Sequence, residues 1–306
     1  MAISRAAIIG RGAVGLLYGS LIQSNVGPDA VEYVMDDDRY ARHAGEVPTI
    51  NGAPCTIPTL PASEAAPVDL VILATKATGL DLALETMTRL VGSDTRIISL
   101  LNGITSEERI AGRFGWEHTV LAVAQGMDAV FIGGELTFTH SGEIRLGPAA
   151  GTAPGVVEDI DDFLSRAGIA HVVEADIRRR QWVKLMLNVG INQTCMAFGG
   201  TYGTASEPGS EQNRCFVAAM REALAVARAE GVDVTEADLA QMAELIASLD
   251  PDGMPSMAQD RINGRRTEVE EFSGTIVRLA ERHGILVPTN RWLYARIREL
   301  EEGFGA

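Results

Sequence analysis

The feature that most constrains this fold is a glycine loop, "GRGAVG", near the start of the chain. It places Gly10, Gly12 and Gly15 directly after an apolar run at 6–10 and at the start of a helical pattern at 13–24. Glycines in this order allow a tight turn, let the backbone approach a pyrophosphate, and let the helix pack against the strand. Free N–H groups of the helix N-terminus then face the phosphates. The alternative is an ordinary glycine turn, but the position favours dinucleotide binding by Gly10, Arg11, Gly12, Ala13, Val14 and Gly15.

Apolar runs and helical patterns alternate through the rest of the first half. The runs that predict buried strands are 6–10, 31–35, 68–76, 96–101 and 119–124, with helical patterns at 13–24, 79–91 and 106–113. This alternation is typical of an α/β fold with a doubly wound, Rossmann-type parallel sheet. Residues 136–147 alternate around Ser141-Gly142 and predict an appended hairpin. A helix at 155–167 and a strand at 170–174 complete the unit.

From about residue 176 the pattern becomes helical throughout. Helical periodicity covers 176–198, 210–230, 235–249, 256–283 and 288–302. The sequence therefore predicts two domains, a dinucleotide-binding domain over 1–175 and an all-helical substrate domain over 176–306.

Bulk composition excludes several other classes. The net charge of −15 argues against nucleic acid or an anionic membrane surface as a partner. Three cysteines without CxxC spacing argue against a disulfide framework or a zinc site. The chain begins with an apolar stretch too short for a signal peptide and contains no run of about eighteen apolar residues. We therefore expect a cytoplasmic protein without a bound metal.

An acidic strand end bears on the choice of cofactor. The second predicted strand ends at Asp36, which Asp37, Asp38 and Arg39 follow. A carboxylate about twenty residues after the glycine loop accepts hydrogen bonds from the adenosine ribose and so favours NADH. The carboxylate would repel the 2′-phosphate of NADPH unless Arg39 compensates. The alternative to ribose binding is that these acidic residues form an ordinary solvated turn.

A single lysine within an apolar helix points to catalysis. Only Lys76 and Lys184 are lysines among 26 basic residues, the others being arginines. Lys184, Asn188 and Asn192 recur every four residues of "QWVKLMLNVGIN" and form one polar stripe on an otherwise apolar helix. Desolvation makes a lysine a better proton donor near neutral pH, so the stripe predicts a general acid flanked by substrate-binding amides. The alternative is a lysine that extends to solvent beside amides that cap the backbone.

Two further groups of polar residues are candidates for the same site. In "SMAQDRINGRRTE", Ser256 can donate to a carboxylate and Glu268 can accept from a hydroxyl or balance the lysine, although either can equally be an ordinary surface residue. Asn263-Gly264 interrupts the helical pattern between them. Lys76 and Asn102 follow two of the predicted strands, where doubly wound sheets bind ligands.

The chain resembles the ketopantoate reductase (2-dehydropantoate 2-reductase) family over nearly its whole length. The matching segments are "GRGAVG", "TKATGL", "LLNGI", "GEIRLGP", "WVKLMLNVGIN", "SMAQDRINGRRTEVEEFSG" and "GILVPTN". The resemblance implies a Rossmann domain, an all-helical domain, and reduction of a 2-oxo acid by NADPH in pantothenate biosynthesis. It also implies roles for residues at matching positions, with Lys184 as general acid and Glu268 as essential carboxylate. Asn102, Asn188, Asn192 and Ser256 match substrate contacts, and Lys76, Asn102 and Ala129 match cofactor contacts.

Three positions depart from the family pattern. Asp36 replaces the usual arginine for the 2′-phosphate, Tyr202 replaces a frequent substrate-binding asparagine, and Gln193 replaces a common proline. We therefore expect an NAD(P)H-dependent reductase of ketopantoate or a related 2-oxo acid, monomeric or homodimeric, with its active site in an interdomain cleft. One alternative is an NAD-dependent D-2-hydroxyacid dehydrogenase of the mandelate type from the same family. Another is a non-catalytic NAD(P)-sensing regulator, against which the joint presence of Lys184, Ser256 and Glu268 argues.

Overall fold

A computed structural model describes residues 2–43 and 45–304 of the chain. It divides into two compact units, one ending at Ile177 and the other beginning at Arg178.

The first unit contains all of the strands found in the described residues. They are β1 (Ala6–Ile9), β2 (Val31–Met35), β3 (Thr49–Ile50), β4 (Ala53–Pro54), β5 (Thr59–Pro61), β6 (Leu70–Leu73), β7 (Arg96–Ser99), β8 (Thr119–Met127), β9 (Val130–Ile132), β10 (Glu135–Thr137), β11 (Ser141–Pro148) and β12 (His171–Val173). Its α-helices are α1 (Ala13–Asn25), α2 (Asp37–His43), α3 (Leu80–Met87), α4 (Ser106–Phe114) and α5 (Val156–Arg166).

The main sheet has the order β12-β11-β8-β7-β6-β1-β2-β5. Its strand pairs are parallel except for β8 with β11, which run antiparallel. Because successive strand side chains point to opposite faces, Ala6 and Ile8 of β1 enter one core cluster while Ala7 and Ile9 enter the other. Helices α1 and α5 pack on the first face, and α3 and α4 on the second. The predicted doubly wound Rossmann-type sheet is confirmed.

The predicted hairpin around Ser141-Gly142 is wrong. Residues 135–137 pair with β9 and β3 in a separate four-stranded sheet, whereas β11 pairs with β8 in the main sheet. Gly142 has a positive φ of 65° inside β11, and a Cβ there would lie 2.3 Å from the carbonyl oxygen of Gln125. The glycine therefore permits a close approach between paired strands instead of forming a turn.

The second unit is helical throughout the described residues. Its α-helices are α6 (Ile177–Phe198, whose first residue closes the first unit), α7 (Tyr202–Ser206), α8 (Glu211–Ala229), α9 (Glu236–Ser248), α10 (Ser256–Ile262), α11 (Thr275–His283) and α12 (Pro288–Glu302). A π-helical segment, Glu270–Gly274, leads directly into α11. The long pattern predicted at 256–283 is thus interrupted after Ile262, as Asn263-Gly264 indicated, and α7 was not predicted.

Among the described helices, none combines the length and the apolar character needed to cross a lipid bilayer.

Candidate active site

The glycine loop packs so closely against neighbouring backbone that two of its three glycines leave no room for a Cβ. Gly10 has a φ of 117°, and a Cβ there would lie 2.4 Å from the backbone of Ala74 on the loop after β6. A Cβ at Gly15 would lie 1.8 Å from the carbonyl oxygen of Gly10, so only glycine lets α1 pack this closely. At Gly12 a Cβ would meet no atom within 4 Å, so open space remains over the loop. Gly12 is also the N-cap of α1, and because a glycine has no side chain it offers no capping acceptor to the N–H groups of the first turn. The first turn of α1 therefore suits an anion.

Asp36 lies at the carboxyl end of β2 and caps α2. Its carbonyl oxygen accepts the Tyr40 N–H at 2.8 Å, and its Oδ1 accepts the Arg39 N–H at 2.8 Å. Asp37 and Asp38 occupy the first turn of α2, where carboxylates are favoured by the helix dipole. The strand end that would meet the adenosine ribose is thus strongly acidic.

Arg11, the one basic residue of the glycine loop, is directed toward the far end of α2. Its guanidinium donates to the His43 carbonyl oxygen and to Thr59 Oγ1, both at 3.4 Å, and lies 3.8 Å from Glu46 Oε2. These distances exceed the roughly 2.7–2.9 Å of strong charge-assisted bonds, so the guanidinium is loosely held.

Three predicted cofactor contacts follow the parallel strands β6, β7 and β8. Lys76 is exposed and is the N-cap of the 3₁₀ turn Ala77–Gly79. Asn102 is half-buried in the loop after β7, and Ala129 is half-buried between β8 and β9. The carboxyl edge of a doubly wound sheet is its usual ligand site, so their placement suits this role.

The loops that carry Asn102 and Ala129 are held by polar contacts that the sequence pattern did not reveal. Beneath the first loop, the Ser99 and Ser106 hydroxyls lie 2.8 Å apart in the core, and Ser106 donates to Glu107 Oε2 at 2.8 Å. Beside the second, Asp128 accepts hydrogen bonds from the side chain and backbone of Thr139 and from the His140 N–H. These donors lower the pKa of Asp128 below its ordinary value, so its carboxylate remains ionised and holds the loop.

The polar stripe on α6 lies within a largely buried helix. Lys184 is half-buried, while Asn188 and Asn192 are 9% and 7% exposed. Asn192 Nδ2 donates to Asn188 Oδ1 at 3.2 Å, so the two amides on successive turns are joined. Buried polar groups need such partners, and the stripe therefore has a defined arrangement.

Ser256 joins the stripe from a distant part of the chain. Its Oγ donates to Asn192 Oδ1 at 3.0 Å, and the Met257 N–H reaches the same oxygen at 3.3 Å. The first turn of α10 is thereby placed against α6, and Ser256, Asn192 and Asn188 form one hydrogen-bonded array. Ser256 is an exposed residue whose hydroxyl bond to Asn192 is only partly buried, so an incoming carboxylate can compete for this donor.

Glu268 is half-buried and lies two residues before the π-helical segment. Its carbonyl oxygen accepts the N–H groups of Glu271 at 3.0 Å and Phe272 at 3.2 Å, so its backbone starts this turn. π-helical turns are rare and frequently occur at functional sites. The position agrees with a functional carboxylate, a role that remains a prediction.

Gln193, one of the departures from the family pattern, makes contacts that sequence reasoning missed. Its side chain is fully buried, donates to the Val189 carbonyl oxygen at 2.8 Å, and accepts the Ser273 N–H at 3.1 Å. The available signal in the sequence was a glutamine close to Asn188 and Asn192 on an apolar helix. Its partner Ser273 lies 80 residues away, so no local pattern indicates the contact.

Tyr202, the other departure in this unit, packs against the loop that leads to Ser256. Its N–H donates to the Gly253 carbonyl oxygen at 2.9 Å, and a Cβ on Gly253 would lie 3.0 Å from the Tyr202 ring. Burial raises the pKa of the Tyr202 hydroxyl. Nearby, burial raises the pKa of the Cys195 thiol to about 12, and its Sγ donates to the Thr201 carbonyl oxygen at 3.4 Å.

Among the described residues, no cluster of histidine, cysteine or carboxylate side chains is arranged to hold a metal ion.

The glycine loop on a doubly wound sheet, followed by an all-helical unit with a lysine-and-amide stripe, defines a two-domain dinucleotide-binding protein of the oxidoreductase type. Family models identify the particular group. "Ketopantoate reductase PanE/ApbA" matches residues 6–151 and "Ketopantoate reductase PanE/ApbA C terminal" matches residues 176–301. The chain belongs to the ketopantoate reductase family.

Individual relatives agree with this membership. A 2-dehydropantoate 2-reductase of Caulobacter vibrioides is 30% identical over 293 residues, which cover 94% of this chain and 96% of the relative. One from Mycobacterium tuberculosis is 28% identical over 306 residues, covering 98% of each. Among solved structures, a 2-dehydropantoate 2-reductase from Geobacter metallireducens has a TM-score of 0.84 at 26% identity, covering 96% of this chain and 99% of its own. A ternary complex of D-mandelate dehydrogenase with NADH and anilino(oxo)acetate shares the fold, with a TM-score of 0.87 at 24% identity, covering 99% of this chain and 100% of its own.

Proposed function

We propose that this protein reduces the C2 carbonyl of ketopantoate, or of a closely related 2-oxo acid, to the 2-hydroxy acid with NAD(P)H. The observation that carries the proposal is the half-buried Lys184 on the same face of α6 as an amide array tied to Ser256. Membership of the ketopantoate reductase family supports the reaction class. The curated relatives named 2-dehydropantoate 2-reductase support ketopantoate as the first substrate to test.

The residues of the first unit fit a bound dinucleotide. The open space over Gly12 and the uncapped first turn of α1 would hold the pyrophosphate, and Asp36 would accept from the adenosine ribose. Lys76, Asn102 and Ala129 would line the rest of the cofactor site. When bound, the reduced nicotinamide supplies a hydride. The acidic end of β2 favours NADH over NADPH.

Lys184 supplies the proton that completes the reduction. Its ammonium donates a hydrogen bond to the C2 carbonyl oxygen and transfers a proton to that oxygen as negative charge develops there. The carbonyl carbon gains the hydride, its oxygen gains the proton, and the neutral amine is left on Lys184. Charge is thereby neutralised where it forms, which stabilises the transition state more than the ground state.

The remaining site residues hold the substrate. Ser256 Oγ donates a hydrogen bond to the substrate carboxylate. To do so, the hydroxyl group exchanges its hydrogen bond to Asn192 Oδ1 for one to the substrate. Asn188 and Asn192 bind a distal hydroxyl, and Glu268 orients the substrate and Lys184. Asn102, in the loop after β7, is a further candidate for substrate binding.

Replacing Ser256 by alanine is expected to raise the substrate KM by roughly ten- to a hundredfold with little change in kcat. One hydrogen bond to a charged group contributes about 1.5–3 kcal/mol, and a carboxylate anchor acts equally on ground and transition states. Steady-state kinetics at saturating cofactor measure both constants, with Ser256→Thr as the matched control because it keeps the hydroxyl. An unchanged KM in Ser256→Ala would remove Ser256 from the substrate site.

The function itself is tested by a crossed assay of NADH and NADPH against ketopantoate and an aryl 2-oxo acid. We expect turnover with ketopantoate, followed at the nicotinamide absorbance band, and use of NADH at least equal to that of NADPH. Cofactor binding without turnover of either substrate would instead identify the sensing regulator.

A second candidate is a D-2-hydroxyacid dehydrogenase of the mandelate type. The observation that favours it is Tyr202, a partly buried aromatic ring beside the Ser256 loop where the family frequently has an asparagine. Exchange of an amide for a ring would favour an apolar acyl group over one with a hydroxyl. Faster turnover of the aryl 2-oxo acid than of ketopantoate would select this candidate.

A further inference from the structure

The π-helical segment after Glu268 changes the register of the backbone hydrogen bonds. Phe272 N–H donates to the Glu268 carbonyl oxygen four residues back, while Gly274 N–H donates to the Val269 carbonyl oxygen five residues back. The Ser273 N–H lies between these two registers and donates to Gln193 Oε1 on α6 at 3.1 Å. The Gln193 side chain of α6 thus accepts a hydrogen bond from a backbone N–H at the point where the helical hydrogen bonds change from a four-residue to a five-residue spacing.

Gln193 is fixed at both ends of its amide group. While Oε1 accepts from Ser273, Nε2 donates to the Val189 carbonyl oxygen one turn earlier on α6 at 2.8 Å. Gln193 and Ser273 are each 0% exposed. In a buried site an unmade bond leaves a desolvated polar group, so the contact permits little sliding of one element along the other.

The contact continues into a buried network across three helices. Ser273 Oγ donates to Asn290 Oδ1 at 3.1 Å, and Asn290 Nδ2 donates to Glu222 Oε2 at 2.7 Å. Glu222 also accepts the N–H groups of Thr289 and Asn290, both at 2.8 Å, and so caps the start of α12 from α8. The π-helical segment is therefore anchored on one side to α8 and α12, and on the other to α6.

The two elements that Gln193 joins are those that carry the candidate catalytic side chains. Asn192 directly precedes Gln193 on α6, and Lys184 lies on the same helix. Glu268 lies at the start of the turn whose Ser273 amide Gln193 accepts. A shift of α6 against this turn would change the relative placement of Lys184 and Glu268.

We propose that Gln193 is a positioning residue, which sets the register between α6 and the π-helical turn and so holds Lys184 and Glu268 in their working arrangement. The proposal rests on the proposed reductase function. Gln193 acts through Lys184 and Glu268 and does not itself contact the substrate or the cofactor.

The test compares Gln193→Leu with Gln193→Glu in the full chain. Leucine removes both bonds at similar volume, so we expect kcat to fall by roughly ten- to a hundredfold, the effect of misplacing a catalytic group by about an ångström. The substrate KM and the cofactor Kd should change much less than kcat, and the basic limb of the kcat/KM pH profile should move. A glutamic acid side chain keeps an acceptor for the Ser273 N–H and, in its protonated form, a donor for the Val189 carbonyl oxygen, so Gln193→Glu should recover most of the lost kcat at a pH where this carboxyl group is protonated.

Ser210→Ala serves as the stability control. It removes the side-chain N-cap of α8, which accepts the Asn213 N–H at 3.0 Å, without touching the network. Thermal unfolding will show whether its loss of stability matches that of Gln193→Leu, and its kcat should stay near that of the unaltered protein.

A Gln193→Leu protein that loses stability but keeps its kcat and pH profile overturns the positioning role. The same follows if Gln193→Glu remains folded and is as slow as Gln193→Leu. If Gln193→Leu does not fold, a folded Gln193→Glu protein whose kcat has fallen by roughly tenfold or more overturns the role. An unaltered protein that reduces no 2-oxo acid would instead count against the proposed function.

Discussion

Replacing Lys184 by arginine is expected to lower kcat by roughly 10²–10⁴-fold, about as much as replacing it by alanine. The size of the effect is that of general acid catalysis, which arginine does not provide because its guanidinium keeps its proton near neutral pH. Arginine is also the basic residue that this chain uses at every position except Lys76 and Lys184. A site that needed only positive charge would tolerate the exchange. Single-turnover and steady-state kinetics with saturating cofactor measure the loss.

Two further measurements separate proton donation from charge. The kcat/KM of the unaltered protein should fall at high pH as Lys184 loses its proton, and both variants should lack this basic limb. Cofactor affinity should barely change, because the dinucleotide is held by the glycine loop of the first unit. The matched control is Lys76→Arg, which keeps a cation at the exposed end of β6 and should keep the basic limb. Near-normal turnover of Lys184→Arg with an unaltered pH profile would leave Lys184 as an electrostatic clamp only.

Replacing Asp36 is expected to shift cofactor preference toward NADPH. A 2′-phosphate near this carboxylate meets repulsion on the order of several kcal/mol at short range, reduced by solvent at a half-buried position. We therefore expect the ratio of kcat/KM for NADPH over NADH to rise by roughly tenfold in Asp36→Asn and a hundredfold in Asp36→Arg. The unaltered protein should use NADH at least as well as NADPH.

The structure makes the choice of variant important here. Asp36 Oδ1 caps α2 through the Arg39 N–H, so arginine removes a helix cap as well as a charge. Asparagine caps about as well as aspartate, and Asp36→Asn therefore isolates the electrostatic contribution. The shift should diminish as salt is added, because ions screen the repulsion. Strong selectivity of the unaltered protein for NADPH would contradict the assigned role of Asp36.

The alternating strands and helices of the first unit were predictable because their core is two-sided. Buried parallel strands leave continuous apolar runs, and the runs at β1, β2, β6, β7 and β8 were identified correctly. The glycine loop was equally predictable, since close approaches at Gly10 and Gly15 exclude other residues. In the second unit, α6, α8, α9 and α12 match their predicted ranges within one or two residues.

Elements that depend on partners distant in sequence were not predictable. The separate sheet of β3, β4, β9 and β10 consists of strands of two or three residues, too short to show periodicity. The Ser141-Gly142 pair resembled a turn because sequence alone does not separate a positive φ in a turn from one inside a strand. The π-helical segment gave no signal, since its register is stabilised by Gln193 from another helix.

The candidate site was predictable only where its residues lie close together in the sequence. Helical geometry alone placed Lys184, Asn188 and Asn192 on one face. The hydrogen bond from Ser256 to Asn192 spans 64 residues, and no local pattern encodes it. In the sequence, Gln193 stands out only as a departure from the family pattern, whereas its two buried hydrogen bonds explain why a glutamine suits this position.

The burial of Cys195 determines how this site responds to oxidants. Peroxides and alkylating agents react with thiolates, and burial raises the pKa of the Cys195 thiol to about 12, which disfavours the thiolate near neutral pH. Cys195, which follows Asn192 by three residues on α6, also donates a hydrogen bond to the Thr201 carbonyl oxygen. We therefore expect Cys195 to react slowly with alkylating agents in the folded protein, although it lies only three residues from Asn192.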